Sequence, residues 1–489
     1  MARTFTIKGL LLVAVAAFAM GVASAQDAKT VIQNAQKTIG DVNSIQYSGT
    51  GKLGGMGQSW TPGGPWHPTV ITSYTRTIDY RSQSSKEELT RTQENPVAKG
   101  GEAPFAGEQK LVNLVSGQYA WNQPGNAPVP AIAAADERQI QIWVTPHGFL
   151  KAAAENNATA KSGKEGGKKV MVLSFMVGKH KVVGDVDDHS MVTKVDTWIA
   201  HPVMGDMLVD TTYSDYKDYG GIKFPSHIVQ AQGGQMTLDL MVTNVRPNVE
   251  NASLQVPDAV RSATLPPVRV ASQKLADGVW FIGGGSHNST LIEFKDYVVV
   301  VEAPLNEERS NAVIAEVKKL VPNKPIKYLI NSHHHFDHSG GLRTYVAEGV
   351  TVITNEANKP YYEKIWKAPH TLEPDKLSQS PKKATFVTYK EKYVLTDGSR
   401  TLEVHRIEGD NHNEYMSFVY LPAEKILIEA DDYTPPPPNA PPLNAVALGF
   451  ANNLYDNLQR LKLDVVTISP LHGNPAQIGD YRKTIGRSS

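Results

Sequence analysis

The sequence predicts a two-part molecule: a mainly antiparallel β-rich domain with a few helices over residues 26–261, then an α/β domain over residues 275–489. Three observations carry this. A chain of 489 residues is too long for one ordinary domain. Its first half reads as strands separated by Gly- and Asp-containing turns, whereas its second half alternates strands with amphipathic helices, the pattern of a layered α/β architecture. Between the two, Pro257, Pro266 and Pro267 punctuate a polar stretch, so residues 262–274 read as a linker.

Taken in order, residues 1–25 read as a secretory signal. Arg3 and Lys8 supply the positive region, residues 9–20 a short apolar core, and Ala23-Ser24-Ala25 a cleavage site. The apolar run is short for a span, which takes about 20 residues. Cleavage near Ala25 and a periplasmic or secreted location are therefore expected, with no stable membrane span afterwards. Segments 74–80, 169–175 and 207–213 are rich in β-branched and aromatic residues and read as strands. A helical stretch is expected over 137–156, broken near Pro146. Gly49-Thr50-Gly51-Lys52-Leu53-Gly54 matches the letters of a dinucleotide fingerprint. The run of Gly55, Gly57, Pro62, Gly63, Gly64 and Pro65 behind it leaves no helix to receive a pyrophosphate, so the match is a coincidence. Segment 213–225, Tyr-Ser-Asp-Tyr-Lys-Asp-Tyr-Gly-Gly-Ile-Lys-Phe-Pro, resembles those of periplasmic lipoprotein-carrier-like half-barrels.

In the second half, 279–282, 290–294 and 297–301 read as successive strands. Asn306 is placed to cap a helix with Glu307 and Glu308 in its first turn and Lys318 and Lys319 in its last, complementing the dipole. Val313, Ile314, Val317, Leu320 and Val321 make its apolar face. A further helix is expected over 452–461, with Leu454, Leu458 and Leu461 inward.

Composition excludes several function classes. Lys+Arg and Asp+Glu are each 49, without the basic excess of a dedicated nucleic-acid binder; a small-molecule substrate is expected. The chain has no cysteine, which removes disulfides, thiolate ligands and a cysteine nucleophile. Neither a G-x-S-x-G elbow nor an H-E-x-x-H helix is present.

The chemistry concentrates in Ser332-His333-His334-His335-Phe336-Asp337-His338-Ser339-Gly340-Gly341, directly after the apolar stretch 326–330. Imidazole and carboxylate are the ligands borderline divalent metals prefer. In extended chain His333 and His335 aim the same way and His334 the opposite way, so His334 reads as a supporting residue. Downstream come His412, in Glu408-Gly409-Asp410-Asn411-His412-Asn413; Asp431, after an apolar strand; and His472, in Ile468-Ser469-Pro470-Leu471-His472-Gly473. A structural zinc needs four ligands; seven candidates exceed that.

These four motifs, in this order from near Leu275 to the C-terminus, resemble the signature of the metallo-β-lactamase fold superfamily. The resemblance implies an αββα sandwich. It also implies a two-metal site, with His333, His335 and His412 on one ion, Asp337, His338 and His472 on the other, and Asp431 bridging. Adjacent Asp432 leaves the bridging choice open. Two zinc ions are implied, with iron or manganese as alternatives. Two divalent ions amid five imidazoles and two carboxylates retain positive charge and bring the pKa of water to about 7. Asp337 has a spare oxygen to orient that water and take its proton. The implied function is a dinuclear zinc hydrolase in which a metal-bound hydroxide attacks a lactam, lactone, ester or thioester carbonyl. The sequence departs from the family pattern at Ala430, at Leu471 and at Asn411 and Asn413, which changes the pocket walls rather than the ligands. His287 and Asn288, in the glycine-rich loop 283–288, and Tyr433 are candidate substrate contacts. The proline tract 435–442 reads as a rigid wall of the pocket mouth. Two other readings stand beside this one: a mononuclear iron persulfide dioxygenase on the same fold, and a ligand- or lipid-binding protein led by the N-terminal domain.

Overall fold

The computed structural model describes residues 27–101 and 105–487; the expected signal sequence at 1–25 lies outside them. The N-terminal domain is organised on one thirteen-stranded sheet. Two meanders, Ser44–Ser59 through Val129–Pro130 and Thr159–Glu165 through Gln235–Pro247, are joined by antiparallel pairing of Ser44–Ser59 with Gln235–Pro247. One face is covered by a helix at 27–39 and by Ala135–Trp143 and Pro146–Glu155. Alternation is visible in strand Gly205–Asp218, where Met207, Val209, Thr211 and Tyr213 are buried and the residues between them are not, as a sheet with one buried face requires. Tyr213, Val209, Ile78 and Tyr74 meet Ile39, Ile140, Trp143 and Phe149 from the helices in one core. The expected helix over 137–156 is two helices. Thr145 is extended, as the residue before proline prefers, and Pro146 opens the second helix.

The glycines that imitate a dinucleotide fingerprint lie within strand Ser44–Ser59. They serve packing: a Cβ on Gly51 would lie 1.9 Å from the Asp239 carbonyl oxygen of the neighbouring strand.

His147 is buried against Phe224, and burial pushes its imidazole down to about 4. The unfolded chain therefore binds a proton that the folded chain refuses between pH 6.5 and 4. The stability this group contributes is complete above pH 6.5 and is lost as pH falls toward 4. Lowering pH from 7.5 to 5 is expected to cost about 2 kcal/mol through this residue. Urea denaturation of His147→Phe at the two pH values should lose about that much of the wild-type pH dependence.

The C-terminal domain contains two sheets. The first orders its strands Ala271–Ala276, Val279–Gly283, Ser289–Glu293, Val298–Val301, Ile326–Ile330, Thr351–Asn355 and Phe386–Tyr389; the second runs Lys392–Thr396, Thr401–Arg406, Ser417–Leu421, Ile426–Glu429, Thr467–Pro470 and Ala476–Gln477. Strand Ala271–Ala276 begins inside the stretch expected as linker because it pairs with Val279–Gly283. The valine run explains the layering. Val299 and Val301 enter the core between the sheets, with Leu402, Val404 and Phe418 of the second sheet. Val298 and Val300 point the other way, onto Val313, Ile314 and Val317 of helix Glu307–Leu320. A strand covered on both faces has no polar position to offer. Helices Ala445–Arg460 and Ile478–Thr484 supply Ala451, Leu454, Leu458 and Tyr481 on the second sheet's side. The αββα sandwich is thus the observed fold.

Asn306 caps its helix as expected, its side chain accepting from the Arg309 amide. The helix expected over 452–461 begins earlier, at Ala445. Asn444 accepts from the Val446 and Ala447 amides, a cap concealed in the sequence by the prolines before it. Among the described residues no helix is long and apolar enough to cross a membrane.

Candidate metal centre

Four chain segments that leave parallel strands at their carboxyl ends build the site. Val298–Val301 pairs parallel with Ile326–Ile330, delivering Glu302 and residues 331–338; Ile426–Glu429 pairs parallel with Thr467–Pro470, delivering Asp431 and His472. Open α/β sheets place ligands at such ends. His412 comes from the loop between Thr401–Arg406 and Ser417–Leu421.

The candidate ligands converge. Asp431 Oδ2 lies 3.0 Å from His338 Nε2, 3.5 Å from His333 Nε2 and 3.7 Å from His412 Nε2, and Asp431 Oδ1 lies 2.9 Å from His472 Nε2. Two clusters of donor atoms adjoin: His333, His335 and His412, and His287, Asp337, His338 and His472. Asp431 sits between them. Asp432 does not: both its oxygens are buried without partners, and burial, with Asp410 and Glu429 nearby, holds its carboxyl protonated well above the usual range.

Partners on the outer side of each ring decide which nitrogen faces inward. The Ser332 hydroxyl donates its one proton to Glu302 Oε2, so Ser332 Oγ accepts from His333 Nδ1 at 2.9 Å and leaves the His333 Nε2 lone pair free. The Ser59 carbonyl accepts from His335 Nε2 at 2.8 Å, leaving Nδ1. Glu302 Oε2 accepts from His338 Nδ1 at 3.2 Å, and the Ser286 carbonyl from His472 Nδ1 at 2.9 Å, leaving Nε2 on both. Carbonyl and carboxylate acceptors of this kind orient metal-binding histidines.

The inward atoms His333 Nε2, His335 Nδ1, His412 Nε2 and Asp431 Oδ2 are buried and have no hydrogen-bond partner. Orphaned buried polar atoms are costly, and four facing one point fit a divalent cation. Burial, reinforced by the neighbouring imidazoles, pushes His335 down to about 3 and His333 well below the ordinary range, so both are neutral, as ligands must be. In the second cluster His338 Nε2 and His472 Nε2 stand 3.1 Å apart. Burial disfavours charge on each, but Asp431 outweighs it and raises both. Positive charge is demanded there.

Asp337 Oδ2 lies 3.6 Å from His338 Nε2 and accepts from His287 Nε2 at 3.1 Å. Burial opposes ionisation of Asp337, yet the facing His338 and the His287 bond hold its carboxyl well below the usual carboxylate range. His334 turns outward, to Ser59 Oγ and Asn413 Nδ2. His287 and Tyr433 line the cavity over the site, although the Tyr433 hydroxyl points to Thr484. Asn288, expected at the substrate, does not line it. Its buried carboxamide donates to the Pro470 and Gly473 carbonyls and accepts from the Gly284 amide, tying down the loop that carries His472. The cavity, of about 660 Å³, has one apolar wall formed by Pro436, Pro441, Pro442, Leu443, Ala447 and Phe450. Glu302, Ser332, Ser59 and Gln58 escaped the sequence reading. A lone acid ending an all-valine strand was the one usable signal among them.

Residues 282–431 match the family model of the metallo-beta-lactamase superfamily. Residues 282–431 are a metallo-beta-lactamase superfamily domain. A linear primary-alkylsulfatase from Pseudomonas sp is 30% identical over 76 residues, 15% of this chain and 11% of that protein's length. A metallo-beta-lactamase from Pontibacter korlensis aligns at 20% identity and a TM-score of 0.36, over 45% of this chain and 98% of its own. Rubredoxin oxygen:oxidoreductase from Desulfovibrio gigas aligns at 15% identity and a TM-score of 0.35, over 44% and 60%. The metallo-beta-lactamase fold implies divalent metal binding and suggests a metal-dependent hydrolase; the donor set described above fits both.

Proposed function

We propose that this protein is a secreted or periplasmic hydrolase with a two-zinc centre that cleaves a carbonyl substrate (ester, thioester, lactone or lactam) with an apolar body. The observation that carries this is the inward aim of the lone pairs. His333 Nε2, His335 Nδ1 and His412 Nε2 would hold one ion; Asp337 Oδ2, His338 Nε2 and His472 Nε2 the other; Asp431 would be shared. When bound, the ions supply Lewis acidity and bring the pKa of water to near 7.

The chain's own residues do the rest. Asp337 gives one lone pair of Oδ1 to Gln58 and keeps another, which can accept a proton from water at the site. His287, 12% exposed at its side chain, stands at the mouth and spends its Nε2–H on Asp337 Oδ2, which holds that carboxylate in place beside the substrate cavity. Pro436, Pro441, Pro442, Leu443 and Phe450 receive the apolar body and exclude water. The second cluster, complete with Asp337, His338 and His472, favours this reading over a one-iron dioxygenase.

Metal analysis beside turnover tests it. The expected result is two zinc per chain, hydrolysis of at least one long-chain ester, thioester, lactone or lactam, and loss of turnover on chelation with return on adding zinc. Alkyl sulfates belong in the panel because of the alkylsulfatase relative and the apolar wall. One iron per chain with sulfur-oxidising activity would overturn the proposal.

A further inference from the structure

A hairpin of the N-terminal domain, strands Ser44–Ser59 and Trp66–Asp79 with the turn between them, reaches the metal centre. At its end Gln58 Nε2 donates to Asp337 Oδ1 at 2.9 Å, and the Ser59 carbonyl accepts from His335 Nε2 at 2.8 Å. Trp60 extends the contact to the loop of His412. Its indole donates to the Asp410 carbonyl at 3.1 Å, and its own carbonyl accepts from the Glu414 amide at 2.9 Å. The fit is close. Gly57 has φ +73°, and a Cβ there would lie 2.2 Å from Cγ of Phe336, the residue between His335 and Asp337. The Phe336 ring sits edge-on to Trp66 at 5.7 Å and beside His201 at 4.8 Å, so two strands of the N-terminal domain cover this residue of the other domain.

These bonds have chemical consequences. With its Nε2–H given to Ser59, His335 has only Nδ1 to offer inward. With Oδ1 given to Gln58, Asp337 turns Oδ2 toward His338. Gln58 and Ser59 are 7% and 3% exposed, so each is held in place by its surroundings.

We infer that the N-terminal domain is an integral part of the metal centre, with Gln58 a positioning residue that presents Asp337 Oδ2 to the second cation. The inference rests on the two-ion reading above. It gives the N-terminal domain a task that neither domain could perform alone: setting one ligand of each ion from outside the metallo-beta-lactamase domain.

Cobalt(II) titration of the metal-free full chain, followed by visible absorbance, tests it in Gln58→Ala and in Gln58→Met, which keeps length and loses the donor. Wild type should bind two cobalt ions. Both variants should bind the first unchanged and the second about 10- to 100-fold more weakly, the effect of losing an outer hydrogen bond to a ligand, with the metal-free melting temperature unmoved. Wild-type behaviour of Gln58→Met would overturn the inference, since space-filling would then suffice. So would an equal loss of both affinities together with a lower melting temperature. A wild-type chain that binds no cobalt would overturn the two-ion reading and this inference with it.

Discussion

His412→Ala is expected to abolish turnover by on the order of a thousandfold, the scale of removing a strong electrostatic stabiliser, without destabilising the metal-free chain. The second half of that expectation is the informative one. His412 is 3% exposed, and neither ring nitrogen has a hydrogen-bond partner. Its imidazole meets His335, His333 and Phe450 by ring contacts, and its Nε2 lies 3.7 Å from Asp431 Oδ2. Deleting it removes two orphaned polar atoms and leaves a small cavity, two effects of opposite sign and similar size. A histidine kept for folding would show the reverse pattern. Zinc content should fall by at least one ion per chain in the same variant. Denaturation in chelator, metal analysis and turnover on the best substrate of the panel together check this. Full zinc content with a lowered metal-free stability would make His412 structural and remove the first metal position.

The candidate ligands stood out in the sequence because metal chemistry concentrates unusual residue types: four histidines and an aspartate between 333 and 338 have few other uses. Period-two alternation also foretold which of His333, His334 and His335 would turn away. The αββα arrangement was legible only through family resemblance; strand and helix periodicity reached no further than layered α/β. Adjacent Asp431 and Asp432 could not be separated by composition. In space they part, since one faces four imidazoles and the other a pocket of buried acids. Asn288 turns from the cavity to its neighbouring loops, and a polar residue in a glycine-rich loop looks the same in sequence whether it meets substrate or ties loops together. Gln58 was silent for a different reason. It lies 279 residues from its partner Asp337, within a strand whose pattern says only that it belongs to a sheet.

Glu302→Ala should produce the largest loss of stability, about 3–5 kcal/mol, the cost of stripping one partner from a buried charged network. Glu302 is fully buried at the end of strand Val298–Val301 and holds a left-handed φ of +76°, a conformation that a non-glycine residue keeps only where its surroundings enforce it. Three donors enforce it here: Asn331 Nδ2 at 3.0 Å to Oε1, and the Ser332 hydroxyl and His338 Nδ1 to Oε2. Without the carboxylate, His338 Nδ1 and one Nδ2 hydrogen of Asn331 lose their buried acceptor, Asn331 keeping only its bond to the His333 carbonyl, and the Ser332 hydroxyl is free to turn to His333 Nδ1. Ser332 no longer has a reason to accept from His333, and His338 is free to exchange tautomers. Both ions lose an oriented ligand, so zinc affinity should fall about 10- to 100-fold. Glu302→Gln separates charge from shape. If the remaining oxygen serves Ser332 and His338, the new amide opposes the Asn331 donor. Asn331 cannot turn over without surrendering the bonds its Oδ1 accepts from Tyr362 and Thr354. The glutamine variant should therefore remain well below wild type in urea denaturation of the metal-free chain, though above alanine. Wild-type stability and zinc affinity in Glu302→Gln would mean that the network tolerates a neutral acceptor. The Glu302 carboxylate would then not be what aims His333 and His338 at the ions.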